Sequence, residues 1–519
     1  MRTEGSRRLQ PTRRNVLKAG GVTGLLAAAG FDNGAQAEAR SPLLRFGLST
    51  WPPNLQPWVS VGVSAGTVKM LIHGRLMAYD KAGTIRGELA ESFGRQADGA
   101  WVFRLVPNAV FHNGEPVTSM DVKFTIEQIA AEKSTADMRA QFQQIDRIET
   151  PDARTIRLHT KAPIATLPTW FCNYNMPIVW HKSPANEPIG CGAYRLDVQE
   201  RGTSIDLVAF DRYFRPGRPR TERIRFIVYA DENLRVAALQ SGDVDMIEYV
   251  PWQSMQTIEA DPKLKMDAQY GPFMDILFNA TKGPFSDARV RRAVAHAIKR
   301  EDIVQAAFFG RGKPLEGVPI VEGTPWFDAE LARGWRYDPA ESRRLLAAAG
   351  VPNGFQSVLL STAQYGMHKD TAEVVQQHLA AVGIQCELRL PDWATRVRLG
   401  ATGQYEIAVH GISAENNDPD GLANVMDTSL SPAHGRSFGL SAPRTTALFA
   451  NGRAEFDDAK RVAIYKDMQR AALEEVPMVG LAWRSQAYGM TRQVEGFANL
   501  PGALSLSSGF MLAETRIAG

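Results

Sequence analysis

From residue 43 onward the chain switches repeatedly between two hydrophobic periods, with no internal repeat of about 20–50 residues. Residues 43–48 form a short apolar run, and 101–105 and 154–159 alternate apolar with polar, as half-buried strands do. Residues 204–210 and 223–229 read the same way. Between and after them lie helical patterns. Thr118 or Ser119 caps a helix through 131 with Val122, Ile126 and Ile129 on one face. Asp287 caps 290–298, and Asp338-Pro339 opens a helix ending at Gly350. Residues 370–382, stopped by Gly383, place Val374, Val375, His378, Leu379 and Val382 on one stripe, before a strand at 384–390. A last amphipathic helix covers 457–473, ended by Pro477. This alternation excludes solenoids and propellers and predicts a mixed α/β fold with several sheets. A length of 519 residues suggests two or three domains.

The charge balance separates the first 37 residues from the rest. They hold six Lys/Arg and two acidic residues, so removing them from the totals of 59 and 56 leaves 53 basic and 54 acidic. No basic field remains for a dedicated nucleic-acid binder. With 22% charged residues, 44 Gly and 30 Pro, the composition is globular, and a disordered or collagen-like chain is excluded. Thr12-Arg13-Arg14-Asn15-Val16-Leu17-Lys18 resembles a twin-arginine export signal; an uncharged run follows, then Ala35-Gln36-Ala37 as a cleavage site. Such a signal is an address and not an anchor. It implies passage through the twin-arginine export machinery and a mature start near Glu38. No cysteine stands near that site for lipid attachment, which favours a soluble periplasmic protein.

Residues 162–180 are uncharged and close to the length of a membrane span, but Pro163, Pro168, Pro177, Asn173 and Asn175 interrupt them. The stretch reads as buried loop and strand. Cys172, Cys191 and Cys386 leave two readings, a Cys172–Cys191 disulfide or three buried thiols, of which the second is favoured.

Several motifs imitate chemistry. Gly62-Val63-Ser64-Ala65-Gly66 matches a hydrolase nucleophile elbow, which needs a strand ending at the serine; 59–61 suggest one only weakly, with Pro57 close upstream. It reads as loop and helix start. Asn416-x-Asp418-x-Asp420-Gly421 with Asp427 mimics a calcium loop, but Pro419 sits inside it and the entering segment 406–410 looks like a strand. No H-E-x-x-H, C-x-x-C, Walker loop or G-x-G-x-x-G is present. No cofactor, metal site or catalytic residue is expected.

Leu89-Ala90-Glu91-Ser92-Phe93, Trp101-Val102-Phe103-Arg104-Leu105, Phe111-His112-Asn113-Gly114-Glu115-Pro116-Val117-Thr118 and Asp121-Val122-Lys123-Phe124-Thr125 follow one another in order. Together they resemble the signature of the peptide/nickel class (family 5) of ABC-importer substrate-binding proteins, "LAESW… TFxLRxGVKFHDGTPFTAEDV". Pro188-Ile189-Gly190-Cys191-Gly192-Ala193-Tyr194 resembles its "PVGTGPY", with Cys191 for Thr and Ala193 for Pro, and Phe285 to Ala293 resembles "PFxDVRVRQA". Tyr337-Asp338-Pro339-Ala340, Gly383-Ile384 through Asp392-Trp393-Ala394, and Asp418-Pro419-Asp420 continue the match, which runs from about 43 to 500.

The resemblance implies a two-lobed α/β periplasmic-binding-protein fold with two hinge crossings and an extra subdomain in lobe I. Lobe I would comprise 38–270 and 480–519, and lobe II 271–479. The crossings would fall near Gln269-Tyr270-Gly271-Pro272 and from Val476-Pro477 to Ala482. Closure of the lobes on a small-molecule or peptide ligand would be a hinge motion read by the ABC permease transmembrane subunits, with the binding protein a monomer. In the peptide-binding branch an aspartate of the "DPD" neighbourhood pairs with the peptide ammonium; that role carries to Asp418, beside Glu415, Asn416 and Asn417. A loop-capping aspartate is the alternative. Trp51, Trp393, Tyr270 and Phe273 are candidate apolar walls, each against a core-packing alternative. His434 falls in a loop that reaches the cleft in nickel-binding relatives. Those relatives also place an arginine where residues 171–180 here have none, which puts a nickel chelate in doubt. A peptide or peptide-like cationic solute is favoured; opines, oligosaccharides and haem are other ligands of the family. The alternative of a different class is a secreted hydrolase using Ser64.

Overall fold

The computed structural model describes residues 40–59, 62–184 and 186–518. The expected signal segment 1–37 and residues 60–61 before Ser64 lie outside them. Residues 39–519 form a compact unit of their own.

Among the described residues eleven strands make one sheet. Across it run Ile384–Arg389, Phe355–Leu360, Ile407–Ile412, Leu264–Phe278, Val479–Thr491, Met246–Ile247, Ser41–Leu48, Thr221–Val228, Ser204–Ala209 and Tyr194–Glu200, with Gly312–Pro314 added beside Val479–Thr491. Phe355–Leu360 pairs in parallel with both Ile384–Arg389 and Ile407–Ile412. Parallel neighbours need a long crossover, and the helix Gly366–Ala380 supplies it. Its buried residues His368, Thr371, Ala372, Val375 and Leu379 lie three and four apart, so one stripe faces the sheet. The helix starts four residues before the expected Asp370.

Two long antiparallel strands join the halves of the sheet. Leu264–Phe278 pairs along its length with Val479–Thr491, and its second half also pairs with Ile407–Ile412. Its register slips between Tyr270 and Phe273, at Gly271-Pro272. Proline has no amide hydrogen for the ladder, and Gly271 permits a close approach: a Cβ there would stand 1.9 Å from the Gly502 carbonyl oxygen. The cores divide at the same place. One buried cluster contains only residues between Phe273 and Ala482. Two others draw on residues 44–246 and 488–512.

A separate four-stranded antiparallel sheet, Ala90–Arg95, Trp101–Leu105, Thr155–Thr160 and Ile145–Asp152, builds the extra subdomain. The helix Ser119–Ala130 covers it, burying Val122, Ile126 and Ile129. Its Asp121 carboxylate accepts from the Thr118 amide at 2.8 Å, closing a capping box. The same carboxylate accepts from the His181 amide at 2.9 Å, fixing the chain beyond the uncharged stretch.

That stretch, expected as loop and strand, is a short helix Leu167–Trp170 followed by loop, because Pro168 suits a first helical turn and the asparagines favour turns. Cys172, Cys191 and Cys386 are buried free thiols.

Candidate functional site

A cavity of about 360 Å³ opens between the two sets of cores. One wall comes from the uncharged stretch and its surroundings, with Thr169, Trp170, Asn173, Tyr174 and Asn175, together with Val63, Tyr79 and Met138. The opposite wall is Ile412 to Asn416, which prolongs the strand Ile407–Ile412, with Asn424. Ala503, Leu504, Leu506 and Ser507 close a third side. The halves touch around it. Thr166 Oγ1 donates to Asp420 Oδ2 at 3.0 Å, and Asn417 both donates to the Pro501 carbonyl at 2.9 Å and accepts from the Ala503 amide at 2.8 Å.

Among the described residues the only charged side chain in this lining is Glu415. It is accessible from the cavity, and among the described residues no donor meets its carboxylate. Surrounding protein desolvates it, Asp420 repels it, and Arg453 offsets only part of this, so its pKa rises to about 7. Asn424 Oδ1, buried at the same wall, also has no donor. Two unsatisfied acceptors, one anionic, make a site for a donor-rich cationic group. Lys69 is committed elsewhere: its ammonium donates to the Val59 carbonyl at 2.7 Å and to Asn175 Oδ1 at 2.9 Å, which orients that asparagine.

Asp418 is not free. It caps the turn Pro419–Leu422, and its two oxygens take Arg461 Nη1 and Nη2 at 2.9 and 3.0 Å. The geometry gives its charge to an internal arginine. Asp420 is likewise held by Arg453 at 2.8 Å. These pairs account for two carboxylates of the calcium-like loop. Among the described residues no cluster of three or more His, Cys, Asp or Glu is placed to hold a metal ion.

The expected aromatic walls lie apart from the cavity lining. Trp51 packs on the cluster of Leu44, Phe46 and Leu48. Phe273 is fully buried, edge-on to Trp483 at 5.8 Å. Tyr270 is 37% exposed beneath the Lys313 ammonium. Tyr270 and Phe273 lie on the strand Leu264–Phe278, where alternate residues face opposite sides, and sequence does not say which side meets the cleft. Trp393 and His434 stay together, 6.0 Å apart and edge-to-face, in an aromatic and histidine cluster beside the crossing strands. Burial and the neighbouring His410 and Arg396 lower His434 to about 4.

Ser64 falls in the first turn of the helix Val63–Ile72, is 2% exposed, and donates to Glu248. A nucleophile elbow instead presents its hydroxyl in the open. Tyr174, Asn173, Asn175 and Asn424 were not anticipated as lining. A signal existed for three of them: polar residues interrupting the 162–180 apolar run need partners if buried.

Two lobes, two crossing strands and a cavity between them define a two-lobed solute-binding protein. Residues 84–432 match the family described as Bacterial extracellular solute-binding proteins, family 5 Middle, and the chain belongs to that family. The glutathione-binding protein GsiB of Pectobacterium atrosepticum is 26% identical over 473 residues, covering 87% of this chain and 90% of its own. The binding protein AgaA from A. tumefaciens R10, solved with agropinic acid, is 37% identical, with TM-score 0.83 over 92% of this chain and 99% of its own. The Helicobacter pylori periplasmic binding protein DppA, in complex with the peptide STSA, shares the fold at TM-score 0.78 and 19% identity over 92% of this chain and 99% of its own.

Proposed function

We propose that this chain is the periplasmic binding component of an ABC importer, enclosing a peptide or peptide-like solute with a free amino group and delivering it to the permease. It carries out no reaction on that solute. Residues 38–270 and 480–519 act as lobe I and 271–479 as lobe II, turning about the paired strands Leu264–Phe278 and Val479–Thr491. The working form is a monomer exported by the twin-arginine route.

One observation carries this reading: among the described residues the lone charge lining the cavity is the unpaired carboxylate of Glu415. An ammonium placed there satisfies it. Glutathione and the peptide STSA, bound by two relatives, both carry such an amine. An opine is the second reading, supported by the 37% identity to AgaA, whose structure holds agropinic acid.

Native mass spectrometry of residues 38–519, with metal analysis of the same sample, identifies any retained solute. A peptide mass without metal is the expected result; a metal with an organic chelator overturns it. For the site, calorimetry compares trialanine with N-acetyl-trialanine. Wild type should prefer the free amine at least tenfold, and Glu415→Gln should abolish that preference. An unchanged preference in the variant removes Glu415 from the site.

A further inference from the structure

The extra subdomain meets lobe II through residues that neither line the cavity nor belong to the crossing strands. Two hydrogen bonds join them there. The Ala165 amide donates to the Arg453 carbonyl at 2.8 Å, and Thr166 Oγ1 donates to Asp420 Oδ2 at 3.0 Å. Arg453 also holds the Asp420 carboxylate, so the two acceptors on the lobe II side are tied into one group. On the lobe I side Trp101 Nε1 donates to the Ile164 carbonyl at 3.0 Å, which fixes the loop that supplies both donors.

An aromatic contact covers the same junction. Phe456 stands between the helices Pro443–Ala454 and Asp458–Glu475, one residue before the cap Asp457. An apolar residue at that position often packs on the fourth residue of its own helix. Here that residue is Arg461, which is committed to Asp418. Phe456 packs on the other lobe instead, against a cluster whose buried members lie at 70–214 and 500–511. Its ring lies 6.3 Å from that of Trp101, and the Arg95 guanidinium stands over it at 4.1 Å. One side chain of lobe II is thus held by two of lobe I, through a tilted ring pair and a cation–π contact.

These contacts exist only while the lobes are together. The apparent affinity for a solute that must be enclosed scales with the fraction of protein in the enclosing form. A contact made only in that form raises the fraction without touching the solute. A ring pair and a cation–π contact together amount to about a tenfold shift.

We propose that Phe456 is a closing latch for the binding cleft: seated on Arg95 and Trp101, it holds the lobes shut and raises the affinity for every enclosed solute by the same factor. It is a positioning residue. The extra subdomain then has a task of its own, as a second anchor of the closed form beside the crossing strands. This rests on the reading that a solute is enclosed between the lobes, and not on which of its groups Glu415 receives.

The test uses residues 38–519 dialysed free of retained solute, with trialanine and N-acetyl-trialanine as probes. Phe456→Ala should weaken both by about tenfold through faster dissociation, leaving the ratio between them as in wild type. Phe456→Tyr, which keeps the ring, should restore both. Spin labels on cysteines placed at the exposed Lys133 and Lys460 report the lobe separation, since Cys172, Cys191 and Cys386 are buried. Without solute, Phe456→Ala should populate longer separations than wild type. If that variant does not fold, Arg95→Gln removes the cation alone and should give about a threefold loss in the same pattern. Unchanged affinity for both peptides overturns the latch. So does a loss confined to one of them, which would place Phe456 at the solute. Equal binding of the two peptides by wild type overturns the amine reading alone. If wild type binds neither at millimolar concentration, that reading falls too, and unchanged separations then overturn the latch.

Discussion

Glu415 and Asp418 lie three residues apart on one loop, yet they differ in every property that matters to a ligand. Asp418 meets Arg461, whose side chain is only 8% accessible, and Glu415 faces the cavity. Asp418→Asn should therefore cost about 2 kcal/mol of stability by unpairing a buried arginine, and weaken free-amine and acetylated peptides alike. Urea denaturation and calorimetry check the two parts; a loss confined to the free amine would return Asp418 to the ligand. For Glu415 the prediction concerns pH. Its pKa lies raised from 4.5 to about 7, so lowering the pH through 7 protonates the group an ammonium needs. Affinity for a free-amine peptide should fall below pH 7, steepening toward tenfold per unit, and Glu415→Gln should be flat. The empty protein shows the opposite face of the same linkage. Between pH 4.5 and 7 the unfolded chain ionises this group while the folded chain keeps its proton, so stability falls as pH rises through that window and levels above it.

At the scale of elements, the helix starts carry separable energies. Asp287 caps Ala288–Ala297 by accepting from the Arg289 amide at 2.7 Å, and Asp287→Ala should cost about 1 kcal/mol. Asp121 is fully buried and serves both the Thr118 cap and the His181 amide, so Asp121→Ala should cost roughly 3 kcal/mol. Equal losses in urea denaturation would mean that the tie to His181 contributes nothing. These starts were legible because a cap is local chemistry: an Asp or Thr before an apolar stripe works wherever the helix lies. Local reading also had a clear failure. In 162–180 it expected loop and strand where a short helix and loop stand, because buried apolar runs of strand and helix look alike without their partners.

For the whole molecule, the decisive feature is that two strands carry the chain between separately built cores. Gly271 sits on one of them, against the Gly502 carbonyl and next to the Ala503 that closes the cavity. Gly271→Ala should push these backbones apart and weaken trialanine at least tenfold. Small-angle scattering should then show a wider ligand-saturated form than wild type; an unchanged radius and affinity would mean that the contact plays no part in closure. A solute enclosed between the lobes also stabilises the folded chain, by about 2.7 kcal/mol at a hundredfold excess over Kd. Calorimetric unfolding with and without trialanine measures this, and no shift at saturation would place the ligand outside the cleft.

Periodicity, capping and turn chemistry from 43 to 500 determined a mixed α/β fold, because they are properties of neighbouring residues, and the resemblance of the ordered motifs implied the two-lobed family. Which acidic residue of Glu415, Asp418 and Asp420 keeps its charge for a ligand was decided elsewhere, by Arg461 and Arg453, more than thirty residues downstream. Charge pairing in an interior depends on distance in space, and only the tertiary structure sets that distance.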